Sequence, residues 1–72
     1  MSRIQSVIFN KKRWSITDAR KWLKDNNYIH NSKVDTTNMY HRFRQVNPSS
    51  KYKKRTLDFG KGIKAIVEYT SS

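Results

Sequence analysis

Cysteine is absent from this sequence, proline occurs once and glycine twice. Without cysteine there is no disulfide and no thiolate metal site to reinforce the fold. Two histidines, His30 and His41, are too few to build a structural metal site alone. Acidic residues are also scarce: five Asp and Glu stand against sixteen Lys and Arg, a formal net charge of +11. The acids Asp18, Asp25, Asp35, Asp58 and Glu68 are dispersed, several beside Lys or Arg that would keep them ionised. A general acid–base pair needs one carboxylate held protonated, and this charge balance opposes that. No apolar run approaches the ~20 residues of a spanning helix, and no signal-peptide pattern opens the chain. These absences point to a non-enzymatic, intracellular protein that needs no cofactor and no membrane.

What is present fits one small domain over residues 1–72, with frayed ends near 1–2 and 70–72. A domain of this size buries only about 60% of the surface its unfolded chain exposes, so its core is thin. Such a charge excess opposes folding through self-repulsion, and a polyanion relieves it. Nucleic acid is the foremost candidate, followed by an anionic membrane surface and an acidic protein.

Residues Arg3 to Phe9 read as a strand, with Ile4, Val7, Ile8 and Phe9 as its apolar positions. Ser15 to Asn27 is the clearest helix. Ser15 is its cap, Asp18 sits three residues on, and Ile16, Ala19, Trp22 and Leu23 share a face. Arg20, Lys21, Lys24 and Asp25 take the other side, and Trp14 is placed to fold back on Ala19. Asn26-Asn27 suits the left-handed turn that ends a helix. Tyr28 to Asn38 is turn-rich and reads as a loop anchored by Val34.

Alternation resumes at Met39 to Gln45, with Met39, His41, Phe43 and Gln45 on one face and Tyr40, Arg42 and Arg44 on the other. Asn47-Pro48-Ser49-Ser50 ends this strand. Lys53–Phe59 and Ile63–Tyr69 form a hairpin around Gly60-Lys61-Gly62. The expected fold is therefore α+β: one helix on a small, mainly antiparallel sheet of three to four strands, in the order β-α-β-β-β.

Three basic clusters with aromatic neighbours carry the functional signal. They are Lys11-Lys12-Arg13-Trp14, the strand face Tyr40, Arg42 and Arg44, and the run Lys51-Tyr52-Lys53-Lys54-Arg55. Arg forks match phosphate oxygens, and aromatic rings stack on unpaired bases. Lys61 at the hairpin tip and Lys64 in its second arm join the candidate set. Gly60-Lys61-Gly62 lacks the spacing of a nucleotide-binding loop and is read as a turn. Trp14 and Trp22 are read as core. Arg42 and Arg44 also admit a plainer role, as a solvated face or as partners of Asp58 and Glu68. His41, between Met39 and Phe43, is read as packed rather than catalytic.

The pattern Trp14, Ala19, Trp22-Leu23, Tyr28, Val34-Asp35, Thr37 and Arg42-Phe43-Arg44-Gln45 resembles a short domain of large DNA viruses and tailed phages. The elements of that domain are W-x(4)-A-x-x-W-L, V-D-x-T and Y-R-F-R-Q, and Gly60-Lys61-Gly62-Ile63-Lys64-Ala65 is similar too. The likeness runs from about Val7 to Val67, with His41 where the family carries Tyr. It implies a virus-encoded protein of the virion or replication compartment and brings no catalytic activity or cofactor with it. The leading expectation is sequence-independent binding of DNA or RNA, coating or condensing a viral genome. The alternative is a virion structural or adaptor protein docking an acidic viral or host surface. A thin core and an open sheet leave room for a homodimer.

Overall fold

The computed structural model describes residues 2–47 and 51–70. Strand β1 (Ser2–Asn10) is followed by helix α1 (Ile16–Asp25), then β2 (Val34–Thr36), β3 (Tyr40–Arg44), β4 (Lys53–Gly60) and β5 (Ile63–Tyr69). The five strands form one antiparallel sheet in the order β2-β3-β1-β5-β4. The α+β expectation holds, with one strand more than foreseen. The extra strand is β2, a three-residue stretch inside the segment taken for a loop. Such a strand has no local pattern of its own. It exists because Val34, Asp35 and Thr36 pair with Phe43, Arg42 and His41 of β3.

The helix starts where its cap dictates. The Ser15 side chain accepts a hydrogen bond from the Asp18 N–H at 3.1 Å, satisfying one of the unpaired donors of the first turn. At the other end Asn27 takes the left-handed conformation, with φ 63°, and Tyr28 stacks flat on Trp22. Ala19 and Leu23 are buried against the sheet, whereas Ile16 at the start of the helix is exposed. Arg20 is half-buried, unlike the exposed Lys21 and Lys24. It donates to the carbonyls of His30 and Ser32 and lies over the Phe43 ring, fastening the segment after the helix.

One face of the sheet meets α1. Val7, Phe9, Phe43 and Ile63 form the core with Ala19 and Leu23. Phe9 is its hub, in edge-on contact with Trp14, Trp22 and Phe43 at ring distances of 5.3, 5.6 and 5.7 Å. Such pairings contribute about 0.5–1.5 kcal/mol each beyond area burial. Trp14 packs on Phe9, and its indole N–H donates to the Lys61 carbonyl. His41 is buried, with Nδ1 3.1 Å from the Thr36 hydroxyl. Met39 was expected to share that inward face. It precedes β3 and is 65% exposed.

A bulge in β1 sets which residues face which side. The pairing with β5 shifts between Ile4 and Ser6, so Gln5 is the extra residue. Ile4 and Val7 stand three apart and would oppose each other in a regular strand. The bulge lets Ile4 and Val7 both pack with the core. The Gln5 carbonyl accepts from Gln45 N–H and Val46 N–H, tying the end of β3 to the bulge.

Of the ends expected to fray, Met1, Ser71 and Ser72 lie outside the described residues, and Ser2 opens β1. Pro48, Ser49 and Ser50, expected to terminate β3, also lie outside them.

Candidate nucleic-acid interface

Helix α1 covers only one side of the sheet. The opposite face is built by the alternate residues of β3, β1, β5 and β4, and the register places them in rows. Tyr40 stands beside Asn10. In the next row Asp35, Arg42, Ile8, Lys64 and Asp58 follow one another across all five strands. The row after that runs Arg44, Ser6, Ile66 and Thr56. Beyond it Arg3 faces Glu68, which faces Lys54. Tyr40, Arg42, Arg44, Lys54 and Lys64, assigned to binding from the sequence, therefore share one open surface.

Beneath the long side chains of this face lies a polar layer that the sequence did not reveal. Gln5, Ser6 and Glu68 are buried although no helix covers them. Glu68 accepts from Arg3 Nε at 3.0 Å and from the Gln5 amide at 3.2 Å. The Gln5 side-chain Oε1 in turn faces an Arg42 Nη2 donor at 3.4 Å, close to the limit for such a bond. Arg42 is thus braced from below, and its Nε is buried with no hydrogen-bond partner.

The alternative that Arg42 and Arg44 pair with Asp58 or Glu68 is not what the structure shows. Glu68 is engaged by Arg3 and Gln5, and Asp58 accepts from its own turn at Gly60 N–H. Among the described residues Arg3–Glu68 is the ion pair of this face, and no carboxylate comes within ion-pair distance of Arg42, Arg44 or Lys64.

The first basic cluster caps the end of the sheet next to Tyr40. Lys11 N–H donates to the Met39 carbonyl, and Lys12 N–H to the Asn10 side chain. The hairpin tip carrying Lys61 is locked to the same turn through Asn10 N–H to the Gly62 carbonyl and Trp14 Nε1–H to the Lys61 carbonyl. Gly62 has φ 81°, and a Cβ there would stand 3.0 Å from Asn10 Cβ, so the two turns meet because this residue is glycine. Lys11, Lys12 and Lys61 are exposed at this shared rim.

Four of the sequence-assigned residues are not brought to the open surface in usable form. Arg13 turns to the helix side, where it lines a shallow hollow with Trp14, Asp18, Lys21, Trp22 and Asp25. Lys53 and Arg55 pair with Tyr69 and Val67, which puts them on the helix side of β4, and Arg55 sits over the Tyr69 ring. Tyr52 lies at the far end, its ring covered by the Arg3 guanidinium at 4.8 Å. The sequence groups Lys51 to Arg55 as one basic cluster. Most of it is strand, and consecutive strand residues point to opposite faces.

Among the described residues no group of His, Asp and Glu is placed to hold a metal ion, and no helix is long and apolar enough to cross a membrane. No family model, curated protein or solved structure matches this chain. The resemblance drawn from the sequence to a viral and phage domain is an expectation that these comparisons leave without support. Most of its motif residues, Trp14, Ala19, Trp22, Leu23, Tyr28, Val34 and Phe43, are core or packed against it.

Proposed function

We propose that this chain binds nucleic acid through the phosphate backbone, largely without regard to sequence. The observation that carries the reading is the sheet face that α1 leaves uncovered: among the described residues Arg42, Arg44 and Lys64 stand there with no carboxylate at ion-pair distance, and Lys11, Lys12 and Lys61 extend the charge around the adjoining end. Lys54 adds a further cation on the same side. Arg supplies paired donors to phosphate oxygens, and Lys supplies less directional charge. The motif likeness favours a viral setting, with the protein coating or condensing DNA or RNA in the virion or replication compartment.

The test is a titration against DNA and RNA at several salt concentrations. Contact with ~5 phosphates gives a log–log slope of roughly −4.5 on duplex and −3.5 on single strands. A slope near zero, or no binding at low salt, overturns the reading.

A second reading has its own observation. Strand β4 is an edge of eight residues, all exposed. An acidic extended segment of another protein could pair with it, which would make the chain an adaptor. Lys53, Lys54 and Arg55 on this edge oppose pairing with a second copy of the chain.

A further inference from the structure

We infer that the nucleic acid held on the open sheet face is single-stranded, with its bases laid over a diagonal apolar path and its phosphates on the cations beside it. The inference rests on the nucleic-acid reading and narrows it to one class of ligand.

The register defines the path. Tyr40 on β3, Ile8 on β1 and Ile66 on β5 occupy successive rows on successive strands. Each step is a diagonal neighbour of about 7–8 Å, comparable with the reach of one nucleotide in an extended strand. The next diagonal position is Lys54 on β4. Arg42 and Arg44 flank the path on one side and Lys64 on the other. Tyr40, Ile8 and Ile66 are all partly exposed, whereas the polar residues Gln5, Ser6 and Glu68 are sunk beneath the surface. What the face offers in its middle is therefore apolar, and what it offers at the sides is cationic.

A duplex fits this arrangement poorly. It presents phosphates outward, so Ile8, Ile66 and the Tyr40 ring would face charge. Among the described residues the face has no projecting helix or two-stranded ribbon to enter a groove. The outer strands add a second constraint. Asp35 on β2 and Asp58 on β4 end the row that contains Arg42, Ile8 and Lys64. In that row phosphates are thereby confined to the three central strands, a lane ~10 Å between its outer strand axes. A wider duplex would overlie both carboxylates. A single strand avoids them, and its unpaired bases have apolar faces for the path. The site is small, at the lower end of the ~4–16 nucleotides typical of single-strand-binding modules.

The experiment is a fluorescence anisotropy titration of the whole chain with a labelled thymidine oligomer of about 12 nucleotides, a duplex of equal length and polyglutamate as competitor, all at one salt concentration. The oligomer is expected to bind at least ~10-fold tighter than the duplex. Tyr40→Leu, which keeps apolar bulk and loses the aromatic face, is expected to cost the oligomer ~10-fold and to leave the duplex unchanged. Amide and methyl NMR shifts of the unaltered protein, read on addition of the oligomer, are expected at Ile8, Tyr40 and Ile66. They do not depend on how the variant folds. Equal or tighter duplex binding overturns the single-strand assignment and leaves the nucleic-acid reading standing. Competition by polyglutamate as strong as by the oligomer overturns it too, as does a shift pattern confined to β4 or α1. Failure of both oligomer and duplex at low salt removes the nucleic-acid reading itself.

Discussion

The two faces of this sheet are made by the same strands and obey opposite rules. On the helix side of β1 and β5, Val7, Phe9, Ile63 and Ala65 are buried hydrophobics under α1. One residue along, on the other side, Ser6 and Glu68 are buried polar groups, and Ile8, Lys64 and Ile66 are half-covered. The first face is closed by ring-on-ring packing around Phe9. The second carries no helix among the described residues; its long side chains are braced through Gln5 and Glu68, and Tyr52 lies against Arg3 at one end. A chain with too few apolar residues for two cores gathers its fully buried ones on one side. The other side is left free to gather charge, and the polar layer holds that charge in place.

This contrast is sharpest under truncation. Phe9→Ala is expected to cost about 3–5 kcal/mol, since it removes a fully buried ring and its three aromatic contacts. That approaches the whole stability of a small domain, so urea or thermal melts should show a largely unfolded chain at room temperature. A loss under ~1 kcal/mol would mean that the helix side does not carry the stability.

The open face is expected to respond less. Glu68→Gln keeps the shape and a hydrogen-bonding side chain but removes the charge that Arg3 and Gln5 address. A cost of about 1–3 kcal/mol is expected from urea melts, the range for disturbing a buried polar partner. An effect as large as that of Phe9→Ala would make the two faces equal contributors and dissolve the comparison.

The helix side was legible in the sequence because its signals are local. Ser15 with Asp18 marks the cap, the spacing of Ala19, Trp22 and Leu23 marks the inward stripe, and Asn26-Asn27 marks the end. Alternation along Tyr40–Arg44 and Ile63–Tyr69 puts Arg42, Arg44 and Lys64 opposite the core. Three things were hidden, and each depends on pairing at long range. Strand β2 is defined only by its partner on β3. The bulge at Gln5 is a register event, hinted at only by the odd spacing of Ile4 and Val7. The polar layer needs Gln5 and Glu68, which are 63 residues apart, to meet. The candidate surface was overdrawn for a simpler reason. Runs of Lys and Arg were grouped by adjacency, whereas a strand sorts neighbours to opposite sides.

That sorting gives the finest test of the comparison. Arg42→Gln with Arg44→Gln removes two cations from the open face; Lys53→Gln with Arg55→Gln removes two from the helix side of β4. Net charge falls equally, so any mechanism reading only the total predicts the same result. A surface mechanism does not: the first pair is expected to flatten the single-strand salt slope by roughly 1.4, two phosphates at ~0.7 each, and the second by less than ~0.5. Arg55 already lies over Tyr69 and β4 is an exposed edge, so its pair should leave the core intact and serve as a matched control. Equal slopes for the two double variants would show that the protein binds as a diffuse positive body, and the division between its faces would then matter for folding alone.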